Sequence, residues 1–193
     1  MNRDFQMTAR NLTLTQGHKP NVYLAGKIRK HCWRHQLVSG LRDHSWGDGP
    51  LQQNSFTYVG PFFIGCDHGC FHNKNSHGNV AIRGDTYCPG RDPNAEFDAP
   101  HLEVSTMCFE SLKKAGLVFC YIDAADCYGT LVEIGYALAH DIPLVVAFAP
   151  TIATSADNEF WFGCVKARWT IYGVRESELP NYLDQAIRRY AWK

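Results

Sequence analysis

The chain has 193 residues, 45% of them hydrophobic and 20% charged, the profile of one ordinary globular domain with a substantial core. Nineteen Lys and Arg residues balance nineteen Asp and Glu, so no global field favours a nucleic acid polymer or a membrane, and any anion site must be local. Met1 to Pro20 holds no apolar core of signal-peptide length, and no run of about 18 apolar residues occurs, so a cytoplasmic location is expected. In that compartment the eight cysteines read as thiols or metal ligands, not as a disulfide framework.

Residues 1 to 20 read as a polar arm. Asn21 to Ala25 (NVYLA) reads as the first strand, and Gly26 opens a turn into the basic stretch Lys27-Ile28-Arg29-Lys30-His31-Cys32-Trp33-Arg34-His35. A helix is expected to follow through about Leu41. A strand, a glycine turn and a helix start make an anion cradle, because N–H groups at a helix N-terminus point outward unsatisfied. Gly26, Lys27, Ile28, Arg29 and Arg34 are therefore candidate substrate-binding residues. The alternative is a solvated basic helix start.

From Asp43 to His101 the chain is rich in Gly, Pro, Asn, His and aromatics, with one strand-like run, Phe56 to Ile64. It is too long for a featureless loop in a compact domain, so a functional or metal-stapled insertion is expected over about 43–101. Its centre, GCDHGCFHNKNSHG, holds Cys66, His68, Cys70, His72 and His77, with Cys88 further on. A zinc site would draw on Cys66, Cys70, Cys88 and one histidine. Three residues separate Cys66 from Cys70 and no second C-x-x-C follows, so a loop over the active site is the preferred reading and no metal or cofactor is assigned.

Leu102 to Ala115 is a predicted helix with apolar Leu102, Met107, Phe109 and Leu112 and the pair Lys113-Lys114 near its end. Leu117 to Ile122 is a continuous apolar run, as a strand buried on both faces requires. Asp123 to Gly129 is a polar loop, and Thr130 to His140 has Leu131, Ile134, Leu138 and Ala139 close to helical spacing. Asp141-Ile142-Pro143 breaks that helix before a second buried strand, Leu144 to Ala149, completing a βαβ unit of right-handed crossover. A short helix over Glu159 to Lys166, a last strand over Trp169 to Val174 and a final helix over Glu176 to Trp192, with Leu179, Leu183 and Ile187 inward, follow. The expected fold is a single α/β domain over 1–193, a doubly wound, mostly parallel sheet of Rossmann or flavodoxin-like type with an irregular Cys/His-rich insertion.

Glu133 lies in the first turns of the central helix, at the carboxyl end of a strand, where ligands collect in open α/β sheets. A carboxylate placed favourably near a helix N-terminus is the plain alternative. Asp123 and Asp126 likewise either serve a site or cap the helix at Gly129-Thr130. No G-x-G-x-x-G follows a strand, which argues against a dehydrogenase.

The segment GTLVEIGYALA, after a strand and an acidic loop, together with VYLAGKI near the N-terminus, resembles the nucleoside 2-deoxyribosyltransferase family and its nucleoside 5′-monophosphate N-glycosidase relatives. The resemblance implies an enzyme that cleaves or transfers at an N-glycosidic bond. It implies that Glu133 is the nucleophile at the sugar C1′, that Tyr23 hydrogen-bonds it and binds the sugar, and that Asp126 contacts the leaving base, with Asp123 as the alternative. It further implies a ligand-facing role for the glycine loop, where the hydrolysing relatives hold a 5′-phosphate, for Gly129 and Thr130, and for His68 facing base or ribose. A catalytic Asp of the family falls at or near Cys108 here, which is a departure. A homo-oligomer is also implied, because family sites are often completed by a neighbouring subunit. Two other classes stand beside this one: an NAD glycohydrolase of TIR-like type and a non-catalytic nucleotide-binding module.

Overall fold

The computed structural model describes residues 19–28, 32–41, 49–61, 101–152 and 160–191. Its centre is β4 (Leu117–Ile122), between β1 (Asn21–Gly26) and β5 (Leu144–Phe148). Every residue of β4 and β5 is buried, which is why Leu-Val-Phe-Cys-Tyr-Ile and Leu-Val-Val-Ala-Phe show no polar alternation. β1 pairs parallel with β4 from Val22↔Leu117 to Gly26↔Tyr121, and β4 with β5 from Val118↔Leu144 to Ile122↔Phe148. β3 (Thr57–Gly60) adds in parallel to the free side of β1, and β6 (Trp169–Ile171) to β5. A two-residue edge strand, β2 (Leu51–Gln52), runs antiparallel to β3, so the sheet order is β2-β3-β1-β4-β5-β6.

Successive side chains along a strand point to opposite faces, and this divides the core into two layers. Val22, Leu24, Phe119, Tyr121, Val145 and Ala147 pack towards α1 (Arg34–Leu37) and α5 (Leu179–Tyr190), whose Leu179, Leu183 and Ile187 are buried against them. Tyr23, Ala25, Val118, Cys120, Val146 and Phe148 pack towards α2 (His101–Lys114), α3 (Tyr128–Ala139) and α4 (Trp161–Cys164). From β1 the chain goes outward to β3 and then returns past β1 to β4, so the winding reverses between β1 and β4. Such a reversal opens a crevice at the carboxyl ends of the two strands.

Several elements differ from their sequence-based expectation. The helix expected through Leu41 ends at Leu37, because Val38 is extended and Gly40 has φ 80°. The run expected over Phe56 to Ile64 gives only Thr57–Gly60 before Pro61, which has no N–H to donate to a ladder; 62–64 lie outside the described residues. On α3 the buried stripe is Thr130, Ile134 and Ala137, while Leu131 and Ala139 are exposed, since small residues let the helix sit close on the sheet. Part of the expected insertion, 51–60, belongs to the sheet as β2 and β3; its Cys/His-rich centre, with Cys66, Cys70 and Cys88, lies outside the described residues. Among the described residues no helix is long and apolar enough to cross a membrane.

Candidate active site

Tyr23 reaches the site from β1, where strand alternation turns its fully buried ring towards α2 and α3. Gly60, opposite it in register on β3, makes room: a Cβ there would lie 3.1 Å from Tyr23 Cε2, on a backbone with φ 143°. Glu133 descends from the second turn of α3, half-buried, and the Tyr23 hydroxyl donates to its Oε1. Two residues 110 apart in sequence thus meet beside the β1–β4 reversal.

Cys108 of α2 is the third member, close enough for the Tyr23 hydroxyl and the Glu133 charge to act on its thiol. Burial and the Glu133 charge push its thiol up to about 11, so it keeps its proton at neutral pH. Burial pushes Glu133 up to about 7, against the lowering effects of the Tyr23 hydroxyl and the Arg34 guanidinium. Tyr23 itself is held well above its ordinary value by burial first, then by Glu133 and Cys108. A carboxyl poised near neutrality can act as an acid, a base or, once ionised, a nucleophile.

The glycine turn is built differently from the open cradle expected of it. Arg34 is completely buried and donates through Nε to the Leu24 carbonyl (2.7 Å) and through its terminal nitrogens to those of Gly26 (2.7 Å) and Lys27 (3.4 Å). Its guanidinium also lies over the Trp33 ring, 4.6 Å from the centroid. It holds the turn from within, where carbonyls at the end of β1 need donors, and it does not project from the turn towards an anion. Gly26 is a glycine because a Cβ at its φ of 154° would meet the Tyr121 carbonyl at 2.7 Å and the Trp33 ring at 3.1 Å. Ile28 packs against the core on the α1 face.

Lys27 and Asp126 bridge the turn after β1 and the loop after β4 with an ion pair, their side chains 32% and 60% exposed. In this pairing Asp126 accepts from the lysine. Asp123 directly follows β4; Gly129 and Thr130 lie in the first turn of α3, the first exposed and the second buried. Arg29 and His68 lie outside the described residues. Among the described residues no group of three His, Cys, Asp or Glu side chains converges as a metal would need.

Tyr23 and Glu133 are thus brought together, whereas Arg34 and Ile28 are turned into the core. The resemblance marks Cys108 as a departure from the family pattern, and the structure puts its thiol near Tyr23 and Glu133. Trp33 was passed over: its buried indole N–H has no hydrogen-bond partner among the described residues and sits 3.2 Å from where a Gly26 Cβ would be. A tryptophan in a basic stretch carries no sequence signal for that role.

Fold and site together define an open α/β protein in which a buried tyrosine of β1 donates to a carboxyl of α3 beside the reversal of the strand order. The chain matches no protein-family model and no curated protein.

Proposed function

We propose that the protein cleaves or transfers at the N-glycosidic bond of a nucleoside or nucleoside 5′-monophosphate, with Glu133 as nucleophile. The observation that supports this reading is the hydrogen bond from buried Tyr23 to Glu133, a carboxyl that burial holds near neutrality. The parallel strands run β3-β1-β4-β5-β6, the flavodoxin-like order, which supports the doubly wound assignment.

In the reaction a Glu133 oxygen bonds to C1′ as the bond from C1′ to the base nitrogen breaks, and the base leaves with a proton. Water then releases the sugar, or a second base accepts it. The ionised carboxylate also stabilises the positive charge that C1′ carries between these states. Ion-paired Asp126 is suited to accept from an exocyclic amine of the base. Lys27 favours an anionic group, a 5′-phosphate, at the glycine turn. The Cys108 thiol, which keeps its proton, cannot accept from a sugar hydroxyl as a carboxylate does.

Self-association belongs to the same reading. Tyr128, Leu131 and Val132 on α3 are 75%, 37% and 57% exposed, and among the described residues nothing lies within 4 Å of where a Gly135 Cβ would be. This uncharged stripe suits a second copy of the same helix, which would bring a neighbouring subunit beside Glu133.

The test is incubation of the protein with nucleosides, nucleoside 5′-monophosphates and NAD, followed by chromatography for free base. Release from a nucleoside or monophosphate that is lost in Glu133→Gln is expected. Release of nicotinamide alone would move the protein to the NAD-cleaving class, and no release from any substrate would sink the glycosidic reading.

A further inference from the structure

Away from Glu133, Cys32 stands immediately before α1 and is almost completely buried. Its Sγ lies 3.7 Å from Nδ1 of His35, one helical turn on. The same Nδ1 is 3.0 Å from the Cys32 carbonyl oxygen, which can only accept, so Nδ1 carries the proton. A sulfur beside a nitrogen that keeps its proton is placed to accept, and the form that accepts well is the thiolate. The Arg34 backbone N–H is a further donor to the sulfur, and the Arg34 guanidinium supplies positive charge. Facing Cys32 from β3 is Tyr58, whose hydroxyl burial keeps protonated and therefore neutral. Cys32 and His35 are both among the residues that line a cavity of about 470 Å³, with Gln36, Val38, Ser39 and Gly40.

We propose that Cys32 is a modification site, a thiolate held by His35 and Arg34 that reacts with a small hydroperoxide entering this cavity. The sulfur attacks one peroxide oxygen, an S–O bond forms and the O–O bond breaks. Hydroxide leaves from hydrogen peroxide, or alkoxide from an organic hydroperoxide, and takes up a proton to become water or an alcohol. The sulfur loses two electrons to become a sulfenic acid, and the peroxide gains them. Neither Cys32 nor His35 takes part in the glycosidic chemistry, so the site stands apart from that proposal.

The electrostatics agree with the geometry. Burial alone would push the thiol up, but the His35 hydrogen bond, the Arg34 charge, the His35 charge and the Arg34 N–H outweigh it and hold Cys32 at about 7. Cys108 and Cys127 are both pushed up to about 11, and buried Cys120 is raised well above the ordinary value, so those thiols stay protonated.

The pH of half-reaction is a better readout than the rate. Lowering a thiol from about 8.5 to about 7 raises the thiolate fraction at pH 7 roughly fifteenfold, while nucleophilicity falls about fivefold, leaving a net gain of only about threefold. The full chain would be alkylated with iodoacetamide between pH 5.5 and 9.5, and the Cys32 peptide quantified by mass spectrometry. A midpoint near 7 is expected. A midpoint near 8.5, or labelling only after denaturation, overturns the proposal. His35→Ala should move the midpoint upwards by half a unit or more, which a merely structural histidine would not do, and an unchanged midpoint removes the pair. In a separate arm, hydrogen peroxide at pH 7 followed by dimedone should leave an adduct on Cys32. Full alkylation after peroxide, with no adduct, rules out the oxidation.

Discussion

Glu133 is poised at about 7 because burial penalises its charge more than the Tyr23 hydroxyl and the Arg34 guanidinium favour it. A nucleophile must be ionised, so base release measured in single turnovers should rise with pH through about 7 and level above it. Stability should run the other way. In the unfolded chain the carboxyl titrates near 4.5, so between about 4.5 and 7 the folded state binds more protons than the unfolded state. Stability therefore falls as pH rises through that window, by up to about 3 kcal/mol. Glu133→Gln removes the charge and keeps an acceptor for Tyr23. It should lower base release by a thousandfold or more, about 4 kcal/mol or more in the barrier. The same variant should melt several degrees above the wild type at pH 8 and lose that advantage near pH 4. Equal melting differences at the two pH values would show that the carboxyl is not shifted. Tyr23→Phe removes a bond that lowers the Glu133 titration, so its activity midpoint should move to higher pH, with a loss nearer tenfold to a hundredfold. An unchanged midpoint would mean that Tyr23 does not set the charge state.

At the scale of elements, the turn from β1 into α1 depends on two residues that a sequence motif would assign to a ligand. In Gly26→Ala the new Cβ meets the Tyr121 carbonyl, a backbone atom of β4 that cannot yield without disturbing the β1–β4 register. The expected cost is more than about 2 kcal/mol, read from urea unfolding. Arg34→Lys keeps the charge but cannot reach the Leu24 and Gly26 carbonyls together, and should cost about 2 kcal/mol or more by the same measurement. A variant as stable as the wild type would return Arg34 to an anion-binding role. Legibility also varied by element. β4 and β5 could be bounded from their apolar runs because both faces are covered, whereas α1 is too short for its periodicity to show. The buried stripe of α3, Thr130, Ile134 and Ala137, was not separable from Leu131 and Ala139 by spacing, since apolar and small residues lie on several sides of this helix.

At the scale of the whole molecule, the exposed stripe of α3 is where self-association should be sensitive to charge. Val132→Glu alters an exposed side chain and should leave the fold intact while converting an oligomer to a monomer by light scattering. A wild-type protein already monomeric at tens of micromolar would remove the expectation.

The sequence by itself determined the existence and type of β1, β4, α3 and β5, and with them the position of Glu133 near a strand's carboxyl end. Those features rest on local patterns: continuous apolar runs, a broken helix at Asp141-Ile142-Pro143, and a glycine turn after a strand. Only the tertiary structure decided that the Cys108 thiol lies near Tyr23 and Glu133, that Arg34 turns inward, and that Leu131 and Val132 face outward. Each depends on which face of an element is covered and on the register of strands far apart in the chain. Those pairings are set by packing between distant segments, and no local spacing encodes them.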